Sequence, residues 1–345
     1  MITNKEKNTI ATIDTESNLV HKTGDETIQG TKTVTGVVQG NLKINVPQGH
    51  MLNGKIVTSV TSGTLTVAIK TLAGNDPSAN DPVYVRIGNT VRALAHARSV
   101  VMNAGTNFLN LSSVELQNQE VDLFVYLWWD TVDVSVGMAV SRIPYASTMS
   151  TLNSSNTNEK GCQVNVFATI TNTDECEVVG RFNAILSNTN QWSIPATSVI
   201  INRPVFETRQ LTYNPQAFAQ SGGFSLGNGS LEGKYLIDGR IVHTNVRFNF
   251  GSTTNIGSDK LSFTVPIQND IGVIGLQLRT LSGGSGTAYN GTSYPITPVT
   301  NFHNGNGGVL WCVNNTANGG FVGVNNPFAW VAGCYAGAGW SYNLI

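Results

Sequence analysis

Between Val121 and Ile143 apolar and polar positions alternate with the period of two that a β-strand imposes. Leu123, Val125, Leu127 and Trp129 fall on one side of the first segment, and Asp122, Phe124, Tyr126 and Trp128 on the other. Asp130 and Thr131 interrupt the run. Val132, Val134, Val136 and Met138 then resume the alternation against Asp133, Ser135 and Gly137. The pattern predicts a hairpin with a two-residue Asp-Thr connection. Both faces of its first strand are apolar, which places that strand in the middle of a sandwich or at a subunit contact.

The same period marks Lys55–Val60, Thr64–Thr71 and Val83–Ile87 as strands, while Val91–Ala97 fits either a strand or one helical turn. Ala73–Pro82 is a turn-rich loop whose two prolines force extended residues before them. Further on, Gly233–His243 reads as strand, Asp-Gly turn and strand. Val246, Phe248 and Phe250 alternate with Arg247 and Asn249, and Leu261–Ile267 supplies the next strand. Leu211–Leu226 is rich in Pro, Gly, Ser and Gln, as an interdomain linker would be. Residues 1–50 are polar and almost without aromatics, so they cannot bury enough surface to fold unaided. The expected organisation is mainly β: an N-terminal stem or attachment segment over 1–50, a central β-domain over 51–209, a linker over 210–226 and a C-terminal β-sandwich over 227–345. Both folded parts are expected to be antiparallel and sandwich-like.

Composition agrees with that reading. Of 345 residues only 12% are charged and 36 are Gly, which favours short strands joined by turns over long amphipathic helices. A formal net charge of −1 provides no basic field for nucleic acid or an anionic membrane, so neither partner is expected. The first twenty residues lack the apolar core of a signal peptide, and no 18-residue apolar span occurs, so synthesis in a cytoplasm without a cleaved leader and without membrane insertion is expected.

Candidate chemistry is sparse. Gly223-Phe224-Ser225-Leu226-Gly227 has the spacing of a hydrolase nucleophile elbow, but Asn228-Gly229-Ser230 follows it as a turn where a helix is required. His21, His50, His96, His243 and His303 show no metal-ligand spacing, so a metal site would need distant loops or symmetry-related chains. The carboxylate pairs Glu115/Glu120, Asp130/Asp133 and Asp174/Glu177 are close enough in sequence to be weighed for glycoside cleavage, but among 21 acidic residues such pairs arise by chance, and solvated faces or caps are the expected roles. Cys162, Cys176, Cys312 and Cys334 are too widely spread for a zinc knuckle or a redox pair and are expected to be buried thiols. A Cys162–Cys176 bridge is the alternative. No catalytic residue, metal or cofactor is therefore assigned. Among the C-terminal aromatics, Trp311 and Trp330 lie in apolar runs and are expected in the core. Tyr289 and Tyr294, in the turn-rich Thr287–Pro295, are the candidate ligand-binding residues, because exposed Tyr side chains make strong contact points.

Three parts of the chain carry a family resemblance. His21-Lys22-Thr23-Gly24-Asp25-Glu26-Thr27-Ile28-Gln29-Gly30-Thr31-Lys32-Thr33-Val34 resembles a segment common in bacteriophage tail fibres and receptor-binding proteins, with Val34 where Phe is usual. The runs Thr66–Ser78, Pro82–Gly88 and Ser141–Ala146, then Thr157–Lys160, Gly180–Phe182, Trp192–Pro195 and Asn202–Arg209, look like a module recurrent in phage tail and fibre proteins. Phe250–Thr254 and Ser262–Pro266 are similar to a C-terminal β-sandwich found at the ends of phage fibres. The resemblance implies a structural virion protein without enzymatic activity: a homotrimer that joins other tail proteins through its N-terminal segment and meets a glycan or protein on the host surface. It also implies assembly in the host cytoplasm and a place in the virion. A head fibre, collar or baseplate component without receptor binding is the alternative, and a polysaccharide depolymerase is a more distant one.

Overall fold

The computed structural model describes residues 46–105, 116–149, 162–164, 174–219, 222–257, 260–267, 284–303, 306–313, 320–323 and 325–343. The chain divides into Met1–Lys43 and Ile44–Ile345, and every named strand belongs to the second part. The stem expected over residues 1–50 lies outside the described residues up to position 45. The described chain is mainly β and its sheets are antiparallel.

The first half contributes β1 (Met51–Leu52), β2 (Gly54–Thr61), β3 (Thr64–Thr71), β4 (Val83–Ile87), β5 (Thr90–Leu94), β6 (Arg98–Met102), β7 (Glu120–Asp130), β8 (Ser135–Ser141), β9 (Cys162–Val164), β10 (Cys176–Leu186) and β11 (Trp192–Ser193). They form three sheets, ordered β2-β3-β6, β1-β4-β5 and β11-β10-β7-β8-β9. The ambiguous stretch Val91–Ala97 resolves as strand β5 where it pairs with β4.

Strand β7 is central in its sheet, and its two faces enter different cores. Val121, Leu123, Val125 and Leu127 pack with Leu65, Val67, Ile69, Val83 and Val85 of the smaller sheets. Phe124, Tyr126 and Trp128 pack instead with Ala139, Ile143, Ala146, Met149, Cys176 and Val178. All three aromatic rings are fully buried, and each such burial stabilises by about 1.5–3 kcal/mol. Gly137 stands opposite Trp128 in the ladder, and a Cβ there would lie 2.3 Å from the indole. The small residue makes room for the large one across the strand pair.

The hairpin is present, but its connection differs from the expected one. Asp130 pairs with Ser135, so β7 runs to Asp130 and the loop is four residues, Thr131 to Val134, with Val134 at φ 51°. Asp130 Oδ1 accepts hydrogen bonds from the amides of Val132 and Asp133, both 2.9 Å, and closes the loop as an Asx turn. Val132 and Val134 therefore project into solvent at 61% and 69% exposure, out of the strand period that their residue type suggested.

On the other side of β7, strand β10 carries a bulge between Val178 and Gly180. The extra residue reverses the parity of the strand. Cys176 and Val178 face the aromatic core, whereas Phe182, Ala184 and Leu186 face the aliphatic one. At Gly180 a Cβ would lie 2.2 Å from the carbonyl oxygen of Ile201, so only glycine admits the chain that crosses there.

The second half contributes β12 (Leu211–Tyr213), β13 (Ala217–Ala219), β14 (Ser230–Asp238), β15 (Ile241–Asn249), β16 (Leu261–Thr264), β17 (Ser285–Tyr289), β18 (Ser293–His303), β19 (Asn306–Val313), β20 (Gly320–Phe321) and β21 (Tyr335–Asn343). They make one 10-stranded sheet in the order β12-β14-β15-β21-β17-β18-β19-β16-β13, with β20 on β19. Residues 210–226, expected to join two domains, carry β12 and β13 at its two ends. Only Asn214, Pro215 and Gln216 separate those two strands, so the sheet curls until its ends meet. Tyr213 Oη donates to Thr264 O across the meeting point, 3.2 Å. The hairpin expected to turn at Asp238-Gly239 forms with its connection one residue later: Asp238 pairs with Ile241, and Gly239, at φ 56°, and Arg240 make the turn.

The thiols of Cys176 and Cys334 are buried and free. Cys162 sits on β9 and Cys176 on β10, three strand spacings apart, or about 14 Å, which is too far for a bridge. The side chains of Cys162 and Cys312 lie outside the described residues.

An ion cluster centred on the buried Asp122 ties the halves together. The Arg209 amide and guanidinium donate to Asp122 at 2.7, 2.9 and 3.0 Å, and its Nη2 also reaches Glu120 Oε2 at 2.8 Å. Arg181 approaches the same Asp122 at 3.4 Å. The adjoining Thr208 amide donates to Ile237 O of β14 at 2.9 Å and its Oγ1 accepts from the Ile237 amide at 2.8 Å, so the cluster anchors the C-terminal sheet to β7. The Asp122 side chain is fully buried, while that of Arg209 is 36% exposed and keeps Glu120 as a second partner. Asp122→Ala is accordingly expected to cost about 3 kcal/mol, the lower end of the range for breaking a buried pair, as read by urea unfolding. A loss below about 1 kcal/mol would reduce the cluster to a surface-type contact.

Candidate functional site

Three loops and one strand converge beside the β10 bulge. The first loop enters at Val46–His50, where Gly49 has φ 70° and a Cβ would lie 2.6 Å from Val178 O and 2.7 Å from Pro204. Glycine thus lets this loop lie directly on the bulged strand. Gln48 is held by a parallel bridge to Arg86. The second loop follows β8 and brings Tyr145, Ala146 and Ser147, the last accepting from the Cys176 amide at 3.1 Å. The third brings Pro204 and Phe206, held by the bond from Gly239 N to Phe206 O at 2.7 Å. Glu177 rises from β10 between them, and the whole encloses a cleft of about 520 Å³, within the size range of small-ligand sites.

The cleft has an apolar corner and a polar side. Tyr145 and Phe206 are 47% and 46% exposed, unusually open for large side chains that touch each other. Their ring centroids are 5.9 Å apart with planes at 70°, so one ring offers its face where the other offers its edge. On the polar side Gln48 Nε2 donates to Glu177 Oε1, and His50 Nδ1 lies 3.3 Å from the Gln48 carbonyl oxygen. Burial pushes the Glu177 carboxyl above the ordinary glutamate range, and the neighbouring Glu175 adds to the effect. Bonds from Gln48 and the Gly88 backbone, and the charge of Arg86, oppose it without cancelling it. The arrangement presents a hydrogen-bonding carboxylate and amide beside two aromatic surfaces, which suits a ligand having both an apolar face and hydroxyl groups.

The two tyrosines chosen from sequence part company. Tyr289 lies on the outer face of the C-terminal sheet and stacks on Tyr335, centroids 5.0 Å apart and planes at 28°, with the Arg247 guanidinium 5.5 Å from the Tyr335 ring. Tyr294 pairs with Ala288, which points inward, and packs on Phe328 at 5.2 Å against the core. Trp330 is buried as expected and donates from Nε1 to Gly323 O at 3.0 Å, whereas the side chain of Trp311 lies outside the described residues.

The other candidates have structural places. Asp130 caps its loop, Asp174 Oδ1 accepts from Thr131 Oγ1 at 3.0 Å, and Glu120 belongs to the Arg209 cluster. Glu115, His21 and the side chain of His303 lie outside the described residues. His243 Nδ1 is 2.7 Å from Ser341 Oγ, and His96 is exposed on a loop. Ser225 forms a bridge with Asn255 in a loop, and Gly227 takes φ 56°, so a strand-turn-helix elbow is not formed there. Among the described residues no group of three His, Cys, Asp or Glu side chains could hold a metal, and no helix is long and apolar enough to cross a membrane.

Sequence reasoning missed Gln48, Tyr145 and Phe206, which come from segments roughly 60 to 100 residues apart and meet only in the fold. The available signal lay in the quoted runs Ser141–Ala146 and Asn202–Arg209, whose Tyr145 and Phe206 interrupt otherwise polar or proline-rich loops. The chain matches no protein-family model, and no curated protein or solved structure shows significant similarity to it.

The raised Glu177 pKa fixes a sign. The folded chain holds this proton more tightly than the unfolded chain, so stability falls as pH rises from the ordinary glutamate value through the raised one. Glu177→Gln removes the buried charge. The variant is expected to match the parent in acid below that window and to melt at a higher temperature than the parent at neutral pH. Melting curves across a pH series check this, and parallel curves for the two proteins would show that burial of Glu177 carries no penalty.

Proposed function

We propose that this chain is a structural protein of a bacteriophage virion, a tail fibre or receptor-binding protein that holds the host cell surface without breaking bonds. The observation that carries the reading is the resemblance of the runs between Thr66 and Arg209, two of which, Ser141–Ala146 and Asn202–Arg209, supply the exposed aromatic corner of the cleft. A sheet-built body with a concave aromatic site is suited to recognition. The polar segment over 1–50 is the attachment and trimerisation element in this reading, and other tail proteins are its partners. Three copies of a weak site on one particle would raise avidity through effective concentration.

Fluorescently labelled full-length protein should bind a subset of bacterial strains in a host panel, and light scattering should return three times the chain mass of 36.8 kDa. Failure to bind any strain, together with a position away from the fibre tip in a reconstruction of the particle, would favour a head-fibre, collar or baseplate component. A monomer in solution would remove the trimeric stem.

A further inference from the structure

We infer that the cleft between Tyr145, Phe206, Gln48 and Glu177 is a saccharide subsite that takes a neutral pyranose, an inference that rests on the surface-recognition reading above and names its ligand class.

A pyranose carries C–H groups on its broad faces and hydroxyls around its rim. The C–H face packs on an aromatic ring, where dispersion and the polarised C–H bonds meet the electron-rich surface. Tyr145 and Phe206 supply two such surfaces set at 70° and nearly half open to solvent. The hydroxyl rim needs acceptors and donors that are already held in place. Glu177 is held by the bond from Gln48, which uses one of the two Gln48 amide hydrogens and leaves the other and the amide oxygen. A carboxylate and an amide side by side can accept and donate to two adjacent hydroxyls, which is the recognition element a sugar presents and a purely apolar ligand lacks.

Charge sets the class of sugar. The Glu177 carboxylate lines the cleft, with Glu175 near enough to repel it, Arg86 near enough to offset that repulsion, and His50 at the edge. An acidic sugar or a phosphate would meet carboxylates where it needs donors. A neutral pyranose meets no such opposition. The cleft volume of about 520 Å³ holds one or two sugar rings and not a long extended chain in full. Gly49, where a Cβ would lie 2.6 Å from Val178 O, lets the Gln48 loop lie against β10 beside Glu177.

Full-length protein is applied to an array of immobilised neutral and acidic oligosaccharides of bacterial surface type, alongside Tyr145→Ala, Phe206→Ala and the distant surface control Val331→Ser. Binding to neutral members is expected, weakened about tenfold by each aromatic substitution through the lost contact area and unchanged in the control. Circular dichroism verifies that the variants keep the β-fold, which the exposure of both rings leads one to expect. Binding confined to acidic members, binding indifferent to Tyr145→Ala and Phe206→Ala, or no binding on the array would each overturn the inference. So would conversion of an oligomer to monomer by these two substitutions, since the cleft would then be a contact between copies.

A parallel measurement on bacterial cells keeps the two readings distinct. If the protein binds cells and mild periodate, which cleaves vicinal diols, abolishes binding while protease treatment of the cells does not, both stand. Cell binding that survives periodate and falls with protease would overturn the saccharide subsite and leave surface recognition standing. Absence of binding to any cell would overturn surface recognition itself.

Discussion

Burial of β7 on both faces is the constraint on which the rest of the described fold depends. Most antiparallel strands keep one face in water, and polarity alone then fixes their register. Here polarity cannot do so, because a slip of one residue would exchange one apolar face for the other. Size and charge take over that role. Phe124, Tyr126 and Trp128 need the deeper space bounded by Ile143, Ala146 and Met149, while Leu123, Val125 and Leu127 fit the aliphatic layer over β3 and β4. Gly137 leaves the room that the indole opposite it fills, and Asp122 meets the guanidinium groups of Arg181 and Arg209 in this register. Close packing makes such shape differences decisive, since interiors tolerate neither a void nor an overlap of a methylene.

The cleft is a by-product of the way this strand is flanked. The bulge in β10 lets one strand serve two cores, and Glu177 stands just before it, beside the loops that carry Gln48, Tyr145 and Phe206. Bulges commonly re-aim a side chain beside a binding region, and the glycine contacts at Gly49 and Gly180 hold two crossing segments against this one at distances no other residue would permit. Cleft and core packing thus meet at a single local departure from ideal strand geometry. The exposed aromatic pair is affordable because the surrounding backbone is fixed by paired strands and does not depend on the pair for its order.

The C-terminal sheet meets a different problem, that of its edges. Open edges invite pairing with other chains. This sheet brings its two end strands together through the short Asn214–Gln216 connection and seals the junction with the Tyr213 and Thr264 bonds. The join to the first half is made by polar groups as much as by apolar ones: Arg209 on Asp122, Arg142 Nη2 on Pro266 O at 3.3 Å, and Asn214 and Thr212 on Gln119. Side chains from 210–226 therefore serve as mortar between the halves.

The sequence by itself determined the mainly β class, the places of β2, β3, β4, β7 and β15, and the two-sided burial of the central strand, because alternation at period two is a local property that no distant contact needs to supply. It also placed Trp330 in the core, since a large apolar ring in an apolar run has few other destinations. Only the tertiary structure decided the four-residue loop after Asp130, where an Asx turn outweighs the valine pattern, and the roles of Leu211–Tyr213 and Ala217–Ala219 as strands, which take their order from partners far along the chain. It alone set Tyr289 outside and Tyr294 inside, because one residue of register at Ala288 divides the sheet faces. The cleft was hidden for the same reason. Gln48, Tyr145, Glu177 and Phe206 share no spacing and no period, and they become neighbours only when a bulge, a left-handed glycine and two chain crossings fold them onto one spot.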